Sequence, residues 1–263
     1  NTTSTFVNEF GRRRQVLGDS LFLFLASVAF FLDNVRYPTT RNFDEFHYIP
    51  SALQWIAMKD NQNWEHPPLA KLLISVGIRI FGDDPLGWRF MSVLFGGLTL
   101  IGMYRLAYEL FRESRRAAWI CAGLTLFNQL LYVQARIAML DTFMMAFLSW
   151  SLAYFVRAID EYTYEPRWTA RAGAIMGLAV ACKWFALVPW VMGGALLFLQ
   201  SVRLRSRARL LDLAIYWVAV PAILYYSTFL PYLFVDRDPP YTIGELLTSF
   251  QVRMYEGQKR VVN

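Results

Sequence analysis

The feature that most constrains this chain is a series of seven predominantly apolar runs, at residues 16–31, 90–106, 117–133, 138–156, 172–181, 185–199 and 210–230. Most approach the roughly 20 residues that a helix needs to cross a bilayer. Lipid offers no partner to backbone N–H and C=O groups, so runs of this kind fold as helices that pair those groups internally. The expected architecture is therefore an all-α polytopic membrane protein with about seven transmembrane helices. Composition agrees, because 56% hydrophobic residues over 263 positions exceeds what a soluble domain needs to fill one core. The 17% aromatic share fits as well, since amphipathic rings gather where hydrocarbon meets headgroups.

Arginine placement gives the topology. With the start of the chain in the cytoplasm, the inside segments fall near 1–15, 105–116, 157–171 and 203–213. They hold fourteen of the 26 basic side chains, from Arg12, Arg13 and Arg14 to Arg203, Arg205, Arg207 and Arg209. That asymmetry is the positive-inside pattern. The net charge of +6 is thus topological and does not mark a nucleic-acid patch. The first run follows the three arginines and is not closed by a small-residue cleavage site, so it is expected to be a retained anchor. Cys121 and Cys182 both lie inside apolar runs and read as small core residues rather than disulfide or metal partners. The chain is expected to form a single transmembrane domain over 1–263, with a cytoplasmic start at 1–15, a large outer loop at 35–87 and an outer tail at 232–263. The fifth run is the shortest, and Lys183 at its end has to snorkel or line a polar cavity.

The outer loop is too polar to span, yet residues 48–58 and 69–80 carry apolar side chains at helical spacing, as interfacial helices do. Within it stand Asp44, Glu45, His47, Glu65 and His66, close to where the chain re-enters the membrane. A solvated loop surface would account for any one of them. His66-Pro67-Pro68 followed by Leu69-Ala70-Lys71 reads as a rigid helix start, with proline at the first helical position. A plain turn does not require an acid and a histidine, and this stiff one holds Glu65 toward the same polar space as Asp44 and Glu45. Arg89, Arg136, Asp141 and Lys183 sit near the same membrane face, where ionisable groups are functional candidates by default. Arg136 and Asp141 could equally form a simple pair. Arginine suits phosphate because its guanidinium fork offers fixed donors and keeps its charge.

In order and spacing, Asp44-Glu45, Glu65-His66-Pro67-Pro68-Leu69-Ala70-Lys71, Gly87-Trp88-Arg89-Phe90, Gln134-Ala135-Arg136-Ile137-Ala138-Met139-Leu140-Asp141 and Ala181-Cys182-Lys183-Trp184 resemble the bacterial protein O-mannosyltransferase family. That family belongs to the polyprenyl-phosphate-sugar-dependent glycosyltransferases of the GT-C fold. The resemblance implies inverting transfer of a sugar, typically mannose, from a polyprenyl-phosphate carrier to a hydroxyl acceptor. It places the chain in a bacterial inner membrane, with the reaction on the periplasmic or extracellular side. Asp44 and Glu45 would then form the catalytic pair, with Asp44 taking the proton of the acceptor hydroxyl. Glu65, His66, Arg89, Arg136, Asp141 and Lys183 would bind donor and acceptor.

The chemistry this asks for is modest. A polyprenyl monophosphate departs as an anion and needs charge stabilisation more than protonation, and a hydroxyl acceptor needs one positioned carboxylate as general base. No cofactor is required beyond the lipid-linked sugar. A divalent metal stays open, because no ligand spacing demands one. The implied partners are membrane lipid, the carrier-linked sugar, an acceptor protein or glycan, and other membrane subunits, with no nucleic acid. Family members also carry a second half with further spans and a His-Pro-Tyr motif on the outer face, which this chain lacks. The alternative expectation is therefore a non-catalytic membrane subunit that retains the GT-C fold. A transporter is disfavoured, because no inverted repeat is visible.

Overall fold

The structure, a computed structural model, describes residues 2–61, 63–160 and 164–262, with side chains described within 11–259. Asn1 and Asn263, the limits of the expected segments, and residues 161–163 of the third inside connection lie outside the described residues. Among the described residues there is no strand, only an isolated bridge between Lys59 and Asp236.

The chain opens with α1 (Thr2–Leu32) and then runs through α2 (Glu45–Ile56) and α3 (Leu69–Phe81), the two short helices expected within the first loop. Helix α4 (Pro85–Leu110) has a clear start, with Pro85 in its first turn and the Asp84 carboxylate accepting the Gly87 N–H at 2.9 Å. The third apolar run is not one helix. It divides into α5 (Arg115–Leu126) and α6 (Gln129–Gln134), because Asn128 turns out of the helix and caps the new one through the Leu131 N–H at 3.0 Å. Twelve residues reach only about 18 Å, short of the roughly 30 Å hydrocarbon core.

Beyond it come α7 (Leu140–Ala158), α8 (Pro166–Cys182) and α9 (Leu187–Arg203). The last long element is α10 (Arg207–Asp212), which continues through a π-helical segment into α11 (Val220–Ser227). Pro221 has no N–H to donate, and the wide π turn at Leu213–Ala219 just before it accommodates the missing bond. Four segments are long and apolar enough to cross a membrane by length and composition: Gly11–Leu32, Pro85–Leu110, Trp184–Arg203 and Arg207–Phe234.

Small residues let these helices approach closely, as they do in bundles that lack a water-driven core. A methyl group at Gly173 of α8 would stand 1.8 Å from the Tyr216 carbonyl oxygen, and one at Gly102 of α4 would stand 2.1 Å from Ser149 Oγ on α7. Helix α7 lies between α4 and α8, with Phe143 packed on Phe95 and Ser151 Oγ donating to the Ala172 carbonyl at 2.7 Å.

The connections sort into two ends of the bundle. At one end, Arg12 pairs with Glu113 at 3.2 Å, Arg115 with Asp19 at 2.9 Å and Arg157 with Glu109 at 2.8 Å. At the other end, the first loop meets the tail, which carries α12 (Ile243–Leu247) and α13 (Ser249–Val262). There the Asp236 N–H donates to the Met58 carbonyl at 2.7 Å, and Tyr241 Oη donates to Asp60 at 2.9 Å. Trp64 joins the two segments, stacked on Tyr232 and edge-on to Phe250.

Candidate active site

The site is built at the end of the bundle where the first loop and the tail meet. Asp44 occupies the position before α2, half-buried and without a cap hydrogen bond of its own. One turn on, the same helix face brings Tyr48 beneath it, and Tyr48 Oη donates to Asp44 Oδ2 at 3.2 Å. Tyr48 is 3% exposed. Burial first, then the carboxylates of Asp44, Asp141 and Glu65, push its phenol above the ordinary range, so it stays a proton donor.

Glu65 and His66 arrive on the turn before α3. Lys71 pins that turn from below: its buried ammonium donates to the Asn63 carbonyl (2.7 Å), Asn63 Oδ1 (3.0 Å) and the His66 carbonyl (2.9 Å). Burial pulls Lys71 down to about 7, and the Glu65 carboxylate works against that shift. The His66 ring stands edge-on to Tyr48, 6.3 Å between centroids. Burial first, then the cations of Lys183 and Lys71, bring His66 down to about 4, with Asp141 and Asp44 opposing. It is a neutral imidazole at ordinary pH. Among the described residues, Glu65 Oε2 and His66 Nδ1 are buried with no hydrogen-bond partner. Both atoms keep hydrogen-bonding capacity that the described residues do not use.

Asp141 enters in the first turn of α7, where the helix dipole favours a carboxylate. Its partner is Lys183, beyond the end of α8, whose Nζ reaches both carboxylate oxygens at 2.9 and 2.8 Å. Arg136 is not that partner. Its guanidinium lies over the Tyr132 ring, 4.7 Å from the centroid, and hydrogen-bonds the Tyr132 hydroxyl. Asp44, Asp141 and Glu65 are thus close enough to act on Tyr48, and Lys183, Lys71, Asp141 and Asp44 on His66, which groups these side chains around the two rings.

Glu45 and Arg89 are brought together with each other instead. Both side chains are completely buried. All five N–H donors of Arg89 are engaged: Nε with Glu45 Oε1 (2.8 Å), Nη1 with the carbonyls of Val35 (2.9 Å) and Pro38 (2.8 Å), and Nη2 with Glu45 Oε2 (2.9 Å) and the Thr40 carbonyl (3.1 Å). No donor is left over for a phosphate. Glu45 is equally saturated, its two oxygens also accepting the backbone N–H of Ala138 and of Asn42, each at 2.9 Å. The pair ties the first loop to α4 and to the turn before α7.

Three participants carry no mark in the sequence motifs as site residues. Tyr48 is legible only as the helical neighbour of Asp44, Lys71 only as part of the motif it stabilises, and Gln258 not at all. Gln258 Nε2 donates to the Glu65 carbonyl at 2.8 Å, with Gly257 packed alongside. Among the described residues no group of three or more His, Cys, Asp or Glu side chains is placed to hold a metal ion. What the arrangement offers is a partly open carboxylate with an oriented donor beside it, a neutral imidazole, an unpartnered carboxylate oxygen and a cation.

Residues 65–232 match the profile of the dolichyl-phosphate-mannose-protein mannosyltransferase family. Relatives include the polyprenol-phosphate-mannose–protein mannosyltransferase of Mycolicibacterium smegmatis, 32% identical over 193 residues, which are 62% of this chain and 37% of that one. The enzyme of the same name from Corynebacterium glutamicum is 32% identical over 55% of this chain and 34% of its own. The one from Mycobacterium tuberculosis is 29% identical over 76% of this chain and 44% of its own. The chain therefore spans between a third and a half of the length of these relatives. Its fold also matches that of the Saccharomyces cerevisiae protein O-mannosyltransferase Pmt1-Pmt2 complex bound to the sugar donor, with a TM-score of 0.63 and 22% identity over 80% of this chain and 33% of that one. That likeness bears out the all-α, GT-C-type architecture, and with the family profile covering well over half of its residues, the chain belongs to the dolichyl-phosphate-mannose-protein mannosyltransferase family.

Proposed function

We infer that this chain carries the catalytic face of a polyprenyl-phosphate-mannose-dependent protein mannosyltransferase, acting with the remainder of a family-length enzyme. The observation that carries this reading is the grouping of Asp44, Glu65, Asp141 and Lys183 around Tyr48 and His66 at the end of the bundle where the first loop and the tail meet. Asp44 acts as general base toward a hydroxyl of the acceptor protein, and Tyr48 holds its carboxylate in one orientation. Attack on the face of the sugar opposite the phosphate inverts the anomeric centre. Lys183 is the cation that receives the leaving phosphate, its charge balanced by Asp141 until that anion arrives, and Arg136 keeps the donor-binding role that the family resemblance implies. Glu65 Oε2 and His66 Nδ1 each have capacity to hydrogen-bond a sugar or acceptor hydroxyl. Glu45 and Arg89 position the loop and touch no substrate.

The two ends of the bundle support the topology. The arginine-rich connections lie at one end, and by the positive-inside pattern we read that end as cytoplasmic. The site and the tail share the other end, the periplasmic or extracellular side of a bacterial inner membrane.

The test is Asp44→Asn in the family-length enzyme, with lipid-linked mannose and an acceptor peptide. Mannosyl transfer is expected to fall by at least about 10²-fold, the scale of a lost general base, while donor binding persists. Transfer at the unmutated rate would refute the assignment.

A further inference from the structure

At the end of the bundle opposite the site, three guanidiniums surround one indole. Arg157, Arg167 and Arg171 lie 4.7, 4.9 and 5.0 Å from the ring centroid of Trp168. Trp168 is also stacked on Tyr154, 5.9 Å between centroids and 17° from parallel. Arg105 joins the group through Glu109, which bridges it to Arg157. Among the described residues, the ion pairs of Arg105, Arg157 and Arg167 run to two carboxylates, Glu109 and Glu165. Arg171 makes no ion pair among the described residues; its contacts are the faces of Trp168 and Tyr154.

This crowding opposes folding. Arg167 and Arg171 stand four residues apart on α8, where like charges destabilise a helix, and Arg157 is added from the last turn of α7. The surplus cation is left exposed on a rigid aromatic platform. Depth supplies the missing anion. Helices α7 and α8 end here, and α8, at 17 residues, reaches about 26 Å across to Lys183 at the other face. Tryptophan and tyrosine at helix ends favour headgroup level, a placement that would set the guanidiniums of Arg167 and Arg171 at the depth of lipid phosphates. Guanidinium forks match phosphate oxygens, and basic clusters at helix ends take anionic headgroups.

We propose that Arg157, Arg167 and Arg171, arrayed around Trp168, form a binding site for the phosphodiester headgroup of an anionic phospholipid in the leaflet opposite the candidate active site. The site is a helix length away from the candidate active site, and it does not depend on the catalytic reading.

The chain in neutral detergent would be titrated with short-chain phosphatidylglycerol, with phosphatidylcholine of equal chain length and with inorganic phosphate, reading the melting temperature. A ligand that binds only the folded state raises it. Phosphatidylglycerol is expected to raise it, and the other two are not. Arg167→Gln with Arg171→Gln should lose more than half of that rise, while Arg116→Gln with Arg207→Gln, an equal change of charge on exposed arginines at the same end, should keep it. An equal rise with phosphatidylcholine, an equal rise with inorganic phosphate, or an undiminished rise in the Arg167/Arg171 variant would each overturn the proposal. Native mass spectrometry of the unmutated chain answers without any variant: retention of phosphatidylglycerol over phosphatidylcholine supports the site, and equal retention refutes it.

Discussion

Replacing Glu45 by glutamine separates a structural role from a chemical one. Each carboxylate oxygen of Glu45 accepts two N–H groups, Oε1 from Arg89 Nε and Ala138, Oε2 from Arg89 Nη2 and Asn42. An amide can satisfy one side only. Whichever way the glutamine turns, its NH₂ faces two donors, and Arg89 is left fully buried without a counter-charge. Breaking one partner out of a buried ion pair costs about 3–5 kcal/mol, a large fraction of the roughly 5–15 kcal/mol that holds a typical domain together. For a chain of this size that corresponds to a melting temperature lower by roughly 6–20 °C. The assay is thermal unfolding of the purified protein in detergent, together with the amount recovered from the membrane. Replacing both Glu45 and Arg89 by methionine should recover part of the loss, because an apolar pair leaves no orphaned charge. A Glu45→Gln protein that melts normally but no longer transfers mannose would refute the reasoning and return Glu45 to the chemistry.

Tyr48→Phe removes the hydroxyl that orients Asp44, and a hydrogen bond to a charged group is worth about 1.5–3 kcal/mol; transfer by the family-length enzyme should fall ten- to about a hundred-fold with the donor KM unchanged, so a rise in KM alone would argue against a positioning role. His66 is held at about 4 in the folded state, below the roughly 6.5 of an unfolded chain. The unfolded state therefore takes up the proton first, and stability is full above pH 6.5 and declines as pH falls toward 4, by at most about 3 kcal/mol. Denaturation curves between pH 7 and 4 check this, and His66→Gln should flatten that part of the profile. Gly173→Ala sets a methyl group 1.8 Å from the Tyr216 carbonyl oxygen, so α8 and the π-helical segment must separate. A loss of at least about 1–3 kcal/mol is expected, and an unchanged melting temperature would show that the helices can part freely.

Much of this arrangement is legible in the order of the residues alone. The apolar runs and the side taken by the arginines predict the helices and their two ends, because lipid allows few alternatives. Asp44, Glu65, His66, Asp141 and Lys183 stand in motifs at one face, and the structure gathers them there. The pairing of Asp141 with Lys183, and not with nearby Arg136, is not legible, since the partners lie 42 residues apart, one in the first turn of α7 and the other just past the end of α8. Arg89 shows the same limit. An arginine next to an apolar run suggests a phosphate ligand until the carbonyls of Val35, Pro38 and Thr40 are seen to fold over it. Asn128 is a possible helix start inside the third run, because asparagine is a strong N-cap, yet hydropathy averaged over the window hides a single residue.

The hydrogen bond from Gln258 to the Glu65 carbonyl has a consequence in time. The two residues are 193 positions apart. At about 5–20 residues per second of synthesis, the loop that bears Asp44 and Glu65 leaves the ribosome roughly 10–40 s before the helix that clamps it. Through that interval the turn at His66 rests on Lys71, so this contact forms only once α13 has been made, and a nascent protein cut short of α13 would leave the Glu65 carbonyl unclamped.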